Sequence, residues 1–144
     1  ADEISVSINL GIDVSIPKDY IVESGQRLRT YKRIASADTE ETLMQIHAEI
    51  ADRYGRIPES VDNLFAYGRL RKLAETLGVV SVDRSGGGIG IKFSEGARIS
   101  PEKLMALIAS DETITFSASG ILRIPDAGDE PIRTAYELLV EVAG

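Results

Sequence analysis

Between Arg27 and Gly78 the chain carries three sets of helix start and stop signals with almost nothing between them. That stretch constrains the fold more than any other, because no sheet can thread through it. The first helix is expected from about Gly25 to Ala35, with Ser24 as its N-cap. Leu28, Tyr31 and Ala35 recur on one side of it at helical spacing and are expected to face inward. The second opens on a capping box, in which Asp38 accepts from the backbone and Glu41 reaches back. Acids in its first turn also suit the helix dipole. Its inward stripe is Leu43, Ile46, His47, Ile50 and Tyr54, and Gly55 is the expected stop. Pro58 sits in the first turn of the third helix and Gly78 ends it. There Val61, Leu64, Phe65 and Gly68 share one face, whereas Leu70, Leu73, Ala74 and Leu77 share nearly the opposite one. An apolar stripe that changes sides needs two different neighbours, so this helix is expected to serve both the helices before it and a sheet after it.

The flanks have the texture of sheet. Ile4, Val6, Ile8 and Leu10 alternate with small polar residues, the period of a half-buried strand, and Ile12, Val14 and Ile16 continue it past Gly11, a candidate bulge. The strand stops at Pro17. It begins within a few residues of the first position, without a Met start, as expected of a piece of a longer protein. After Gly78, Val79 to Asp83 and Ile89 to Phe93 flank Arg84-Ser-Gly-Gly-Gly, and Thr113 to Phe116 and Ile121 to Ile124 flank Ser-Ala-Ser-Gly, two hairpin signals. Pro101 opens a helix with Leu104, Met105, Leu107 and Ile108 inward, and Pro131 a last one with Ile132, Ala135, Tyr136, Leu139 and Val142 on one side. The fold class is α+β: an N-terminal strand and three helices, then a ββαββα unit with a largely antiparallel sheet. Residues 1–144 are expected to form one domain, a length that can bury a real core.

Charge decides between partners. Asp and Glu outnumber Lys and Arg by 23 to 16, a formal net charge of −7. A protein that grips nucleic acid by neutralising phosphates usually carries a basic surplus. No apolar run approaches the roughly 20 residues of a membrane span. There is no Cys, which removes disulfide and thiolate chemistry and favours a cytoplasmic setting, and the single histidine, His47, leaves little for a transition-metal site.

Catalytic constellations are missing from the sequence. Gly86-Gly87-Gly88-Ile89-Gly90 invites a phosphate reading, but a phosphate loop leads into a helix through Lys-Ser/Thr, and here a second strand follows. A lone His47 with no neighbouring Ser, Cys or acid motif reads as a packed, hydrogen-bonded residue. Glu40-Glu41 and the acids from Asp126 to Glu130 stand at a helix start and in a loop, where capping and solvation account for them. Neither a Gly-x-Ser-x-Gly elbow nor a kinase or helicase signature occurs. The chain is therefore read as having no catalytic centre, no metal and no cofactor of its own.

Two polar faces remain. Arg27, Arg29, Lys32 and Arg33 make the first helix strongly basic, read either as a solvated face with its aliphatic stems on the core or as a patch that meets acid, on a partner or on the next helix. With Arg69, Arg71 and Lys72 they carry the alternative reading, a nucleic-acid-binding accessory domain. On the second helix, Glu41, Gln45, Glu49 and Asp52 fall together opposite the apolar stripe, with Arg53 at the margin and Glu49 spaced to pair with Arg53. Folding alone does not require this acidic face; it reads first as solvated surface and otherwise as a docking surface that would orient a basic partner.

The run Leu28-Arg29-Thr30-Tyr31-Lys32-Arg33-Ile34-Ala35, followed by Thr39-Glu40-Glu41, Glu49-Ile50-Ala51-Asp52-Arg53-Tyr54-Gly55, Ile57-Pro58 and Leu70-Arg71, resembles the C-terminal domain of bacterial transcription-repair coupling factors, the Mfd proteins. The resemblance is dense from Ile8 to Gly78 and thins to a match of shape beyond. Ala48 and Ala51 depart from it, since larger apolar residues are common there in relatives. It implies a parent that is a helicase-like, ATP-dependent DNA translocase acting in nucleotide excision repair. ATP and DNA would be bound by the parent's motor and not by this domain. It further implies that the domain is a regulatory interaction module. It docks on the UvrB-like module of the same protein and masks that module's UvrA-binding surface until stalled RNA polymerase is engaged. The residues of that lock map onto Glu49, Asp52 and Arg53, and the isolated domain is expected to be a monomer.

Overall fold

Two glycine-turned hairpins organise the sheet of the structure, a computed structural model that describes residues 5–144. The elements in order are β1 (Ser7–Asn9), α1 (Ser24–Ser36), α2 (Glu40–Tyr54), α3 (Glu59–Leu77), β2 (Val79–Ser85), β3 (Gly88–Phe93), α4 (Pro101–Ser110), β4 (Thr115–Phe116), β5 (Ile121–Ile124) and α5 (Pro131–Val142). Gly86 takes φ +59°, the left-handed backbone that a two-residue hairpin turn between β2 and β3 demands. Ser117 to Gly120 turns β4 into β5, closed by Ser117 N–H to the Ile121 carbonyl at 3.0 Å. The sheet order is β1-β2-β3-β5-β4; β1 runs parallel to β2 and the remaining pairs are antiparallel. This is the α+β class with a largely antiparallel sheet.

The residues cluster into two compact units, one of Ile12–Arg69 and one of the chain up to Gly11 with Leu70–Gly144. In the sheet unit, Val82 pairs with Ile91 and Ile91 with Leu122, and this row across three strands is at most 1% exposed. The adjacent row, Ser81, Lys92 and Ile121, is half-buried or exposed, so only one face of the sheet is lined by core. Leu104 and Leu107 of α4 and Ile132, Ala135, Leu138, Leu139 and Val142 of α5 are buried in the same unit. Met105 is 69% exposed and Tyr136 37%, against the inward places expected for them; Leu138 takes the place of Tyr136. The core of the helical unit joins Ile16, Ile21, Ile34, Leu43, Ile46, Ile50, Val61, Leu64 and Phe65. Along α3, Val61, Leu64 and Phe65 are buried in the helical unit and Leu70, Ala74 and Leu77 in the sheet unit, as the change of stripe requires.

The first strand is shorter than its alternation promises. Ser7 to Asn9 pair with Ser81 to Asp83, Ile4 lies outside the described residues, and nothing after Asn9 continues the strand. Gly11 adopts φ +70° and turns the chain out of the sheet, so it ends the strand where a bulge within it was expected. Ile16 beyond it is buried in the helical core, where its N–H donates to the Tyr31 hydroxyl, and the Asn63 amide donates to the Asp13 carbonyl at 3.3 Å.

The caps also differ from expectation. Ser24 is the first residue of α1, and Glu23 at the N-cap makes no side-chain cap bond. The entry is held instead by the Arg27 guanidinium, which donates to the carbonyls of Ile21 at 2.7 Å and Val22 at 2.9 Å. Thr30 and Ile34 face inward on α1, while Leu28 is 55% exposed and Ala35 is exposed. Thr30 tolerates burial because its hydroxyl donates to the Gln26 carbonyl at 2.8 Å. Thr39, and not Asp38, caps α2, its hydroxyl oxygen accepting from Thr42 N–H at 3.1 Å. Pro58 stands immediately before α3, and its carbonyl accepts from the backbone of Val61 and Asp62.

Candidate functional site

Helix α2 delivers its outward residues as its periodicity demands. Leu43, Ile46 and Ile50 anchor one side in the core, which leaves Glu41, Gln45, Glu49, Asp52 and Arg53 in solvent. The C-terminal end of the helix is tied to the segment before α1. The Tyr20 hydroxyl donates to the Gly55 carbonyl at 2.8 Å, and the rings of Tyr20 and Tyr54 lie 5.8 Å apart. Loss of hydration raises the Tyr20 phenol above its ordinary value, with the Asp62 carboxylate adding to the effect. Arg53 lies over the Tyr54 ring, 5.2 Å from its centroid, in the last turn, where a cation also suits the helix dipole.

Across from this edge stands α1. Arg33 donates to the Glu49 carboxylate at 2.7 Å, the two side chains being 51% and 60% exposed. Glu49 thus finds its cation on the neighbouring helix, where pairing with Arg53 was expected. A groove of about 200 Å³ runs between the helices, lined by Arg29, Thr30, Arg33, Glu49, Arg53 and Tyr54 among others. The basic helix thus meets acid on the next helix, one of the two places expected for it, and Glu49 and Arg53 of the acidic edge line one groove with Arg29 and Arg33. Asp52 lies exposed on the same helix but does not line the groove. Arg27 leaves the expected basic patch, since its guanidinium is engaged by two carbonyls, and Lys32 is exposed on α1.

Two further polar pairs escaped the sequence reading because their partners are remote in the chain. His47 Nε2 lies 2.9 Å from Asp62 Oδ1, and the imidazole packs edge-on against Phe65 at 5.0 Å. Arg69 Nε donates to both oxygens of Glu40, at 2.9 and 2.8 Å. Both pairs flank a cleft of about 230 Å³ with Met44, Ala48 and Phe65. His47 is thus the packed, hydrogen-bonded histidine expected. Among the described residues no group of three or more His, Cys, Asp or Glu is placed to hold a metal ion, and no helix is long and apolar enough to cross a membrane. The glycine run forms a hairpin and no phosphate loop. A Cβ at Gly88 would collide with the Ile124 carbonyl oxygen, so glycine is there to let β3 pass backbone against backbone beside β5.

The model of one protein family, the TRCF domain, matches residues 10–104, which include all of α1, α2 and α3 and the whole groove. The chain belongs to the TRCF domain family. Over 132 residues it is 33% identical to the transcription-repair-coupling factor of Haemophilus influenzae, covering 90% of this chain and 11% of that protein. The corresponding factor of Escherichia coli is 36% identical over 101 residues, 70% of this chain and 9% of the relative. That of Mycobacterium tuberculosis is 38% identical over 77 residues, 54% and 6% respectively. The chain thus spans about a tenth or less of the length of these relatives. A crystal structure of the C-terminal domain of transcription-repair coupling factor superposes with a TM-score of 0.79 at 20% identity, over 96% of this chain and 94% of the other. The likeness of fold therefore extends beyond residue 104 into β4, β5 and α5 of this TRCF domain.

Proposed function

We propose that this TRCF domain is a docking and regulatory module without a catalytic centre or cofactor of its own. It docks on a UvrB-like module of the same protein through Glu49, Asp52 and Arg53. Docked, it masks the surface by which that module binds UvrA, until engagement of stalled RNA polymerase releases it. The parent is an ATP-dependent DNA translocase of transcription-coupled nucleotide excision repair, working in the cytoplasm, and the isolated domain is monomeric. The observation that carries this reading is the edge of α2, where Glu49, Asp52 and Arg53 all stand in solvent, two of them lining a groove within a TRCF domain. Such an edge suits a clasp that must open. Exposed charges steer and orient a partner, while the contact stays polar and reversible. A partner that binds only the open form then shifts the population.

The nucleic-acid reading loses support from two of the four cations it places on α1. Arg27 is held on backbone carbonyls, and Arg33 is neutralised by Glu49. The test of the docking reading is substitution of Glu49→Lys and Asp52→Lys together in the whole coupling factor. Capture of UvrA should rise, and unchanged capture would remove these residues from the clasp.

A further inference from the structure

We infer that the groove between α1 and α2 is a receptor for a carboxylate side chain presented by the docking partner. This rests on the docking reading and names the chemistry of a second contact within it: beside the acidic edge that would meet a cation, a basic socket meets an acid.

Three guanidinium groups, those of Arg29, Arg33 and Arg53, line the groove with one carboxylate, Glu49. Arg33 is the one that Glu49 neutralises, at 2.7 Å. Among the described residues neither Arg29 nor Arg53 has an ion pair. The groove therefore holds two more positive charges than negative ones, on a protein whose formal net charge is −7. Folding does not explain such a local excess, since like charges gathered in one groove repel. Arg53 is also pre-oriented. Its guanidinium carbon lies over the Tyr54 ring, 5.2 Å from the centroid, which holds the cation beside the groove while its N–H groups make no ion pair among the described residues. Ile50 and Tyr54 supply apolar wall, which strengthens a charge-assisted bond formed beside them.

A carboxylate fits better than the phosphates of a nucleic acid. Glu41, Glu49 and Asp52 stand exposed on the same helix, so a continuous polyanion entering the groove would have to pass them. A single acidic side chain on a folded surface enters between the arginines and leaves those acids to the partner's cations. Arg33 would then be shared between Glu49 and the incoming carboxylate.

The experiment uses this 144-residue chain, labelled with nitrogen-15, and reads the arginine Nε–H resonances. A blocked peptide with one Glu in a run of Ala and Ser is the probe, with an oligothymidylate in parallel. The Arg29 and Arg53 resonances should move saturably with the peptide. Arg29→Gln with Arg53→Gln should weaken that binding about tenfold or more, as removal of charge-assisted bonds does. Asp52→Asn should leave it equal or tighter. No movement of these resonances, an unchanged affinity in the double variant, or tighter binding of the oligothymidylate at the same arginines would overturn the inference. The outcome separates from that of the clasp. Silence toward the single-Glu peptide while Glu49 and Asp52 reversal still raises UvrA capture refutes the socket alone. A peptide response with UvrA capture unmoved refutes the clasp and leaves the socket standing.

Discussion

Replacing Glu49 by Gln should separate stability from docking. The substitution keeps the length and helix propensity of the side chain and removes its charge. In the folded domain Glu49 meets Arg33 at 2.7 Å, but the two side chains are 60% and 51% exposed. Two unit charges about 4 Å apart in water attract by roughly 1 kcal/mol, and holding two long side chains together offsets part of that. The expected loss of folding stability is therefore about 0.2–1 kcal/mol. For a domain of this size that lowers Tm by no more than about 4 °C. Urea denaturation of Glu49→Gln, Arg33→Gln and the double variant gives the coupling between the pair. We expect about 0.5 kcal/mol, with an unchanged dependence on urea. Charged groups in a desolvated contact count for more: truncating one there costs about 2–5 kcal/mol of binding. Glu49→Gln should thus weaken docking on the UvrB-like module more than it weakens the fold. A measured coupling above about 2 kcal/mol would refute this reasoning. The pair would then be a structural element of the α1–α2 packing, and lost docking in Glu49 variants would reflect a disturbed helix pair.

Gly88→Ala should be far more damaging than Gly86→Ala in the same hairpin. The first drives a Cβ into the Ile124 carbonyl oxygen, whereas the second meets only the left-handed backbone penalty of about 1–2 kcal/mol; paired urea titrations would order them. Arg27→Gln should cost about 1–3 kcal/mol and speed amide exchange in the first turn of α1, because the carbonyls of Ile21 and Val22 lose a charged donor. Asp13 and Asp111 have carboxyls held below the ordinary aspartate range by the hydroxyl and backbone N–H of Ser15 and of Thr113. Below about pH 4 the unfolded chain takes up protons that the folded chain resists. Their contribution is present above that pH and lost as pH falls through the folded-state values; Asp13→Asn with Asp111→Asn should flatten that part of the acid limb.

Element order and both hairpins were legible because their signals are local. Gly86 and Gly120 turn the chain within a few residues, and Leu43, Ile46 and Ile50 fix the outward side of α2 by periodicity alone. What stayed hidden was set by choices between nearly equal neighbours or by distant partners. Asp38 and Thr39 are both competent cap residue types, and it is Thr39, in extended backbone conformation, that takes the N-cap position. The inward face of α1 was misplaced because Thr30 satisfies its own hydroxyl within the helix and so can be buried like Ile34. Arg27 read as surface charge because the carbonyls it binds are brought within reach by the turn after Pro17, whose own carbonyl accepts from Tyr20 and Ile21. The groove needed the packing of two helices to exist, since Arg33 and Glu49 are 16 residues apart.

The parallel pairing of β1 with β2 has a kinetic consequence. Asn9 and Asp83 lie 74 positions apart, and closing a flexible loop of that length costs about 4 kcal/mol in chain entropy. A strand of three residues offers little to set against that. Folding of the intervening helices changes the sum, because the bond from the Asn63 amide to the Asp13 carbonyl ties the start of the excursion to α3, which runs on to within two residues of β2. The stretch left to close becomes a fraction of the original. β1 should accordingly join the sheet after the helical unit has formed, and pulse-labelled hydrogen exchange should find Ser7 to Asn9 protected later than the amides of α2. Early protection of β1 would mean that the sheet closes without help from the helices.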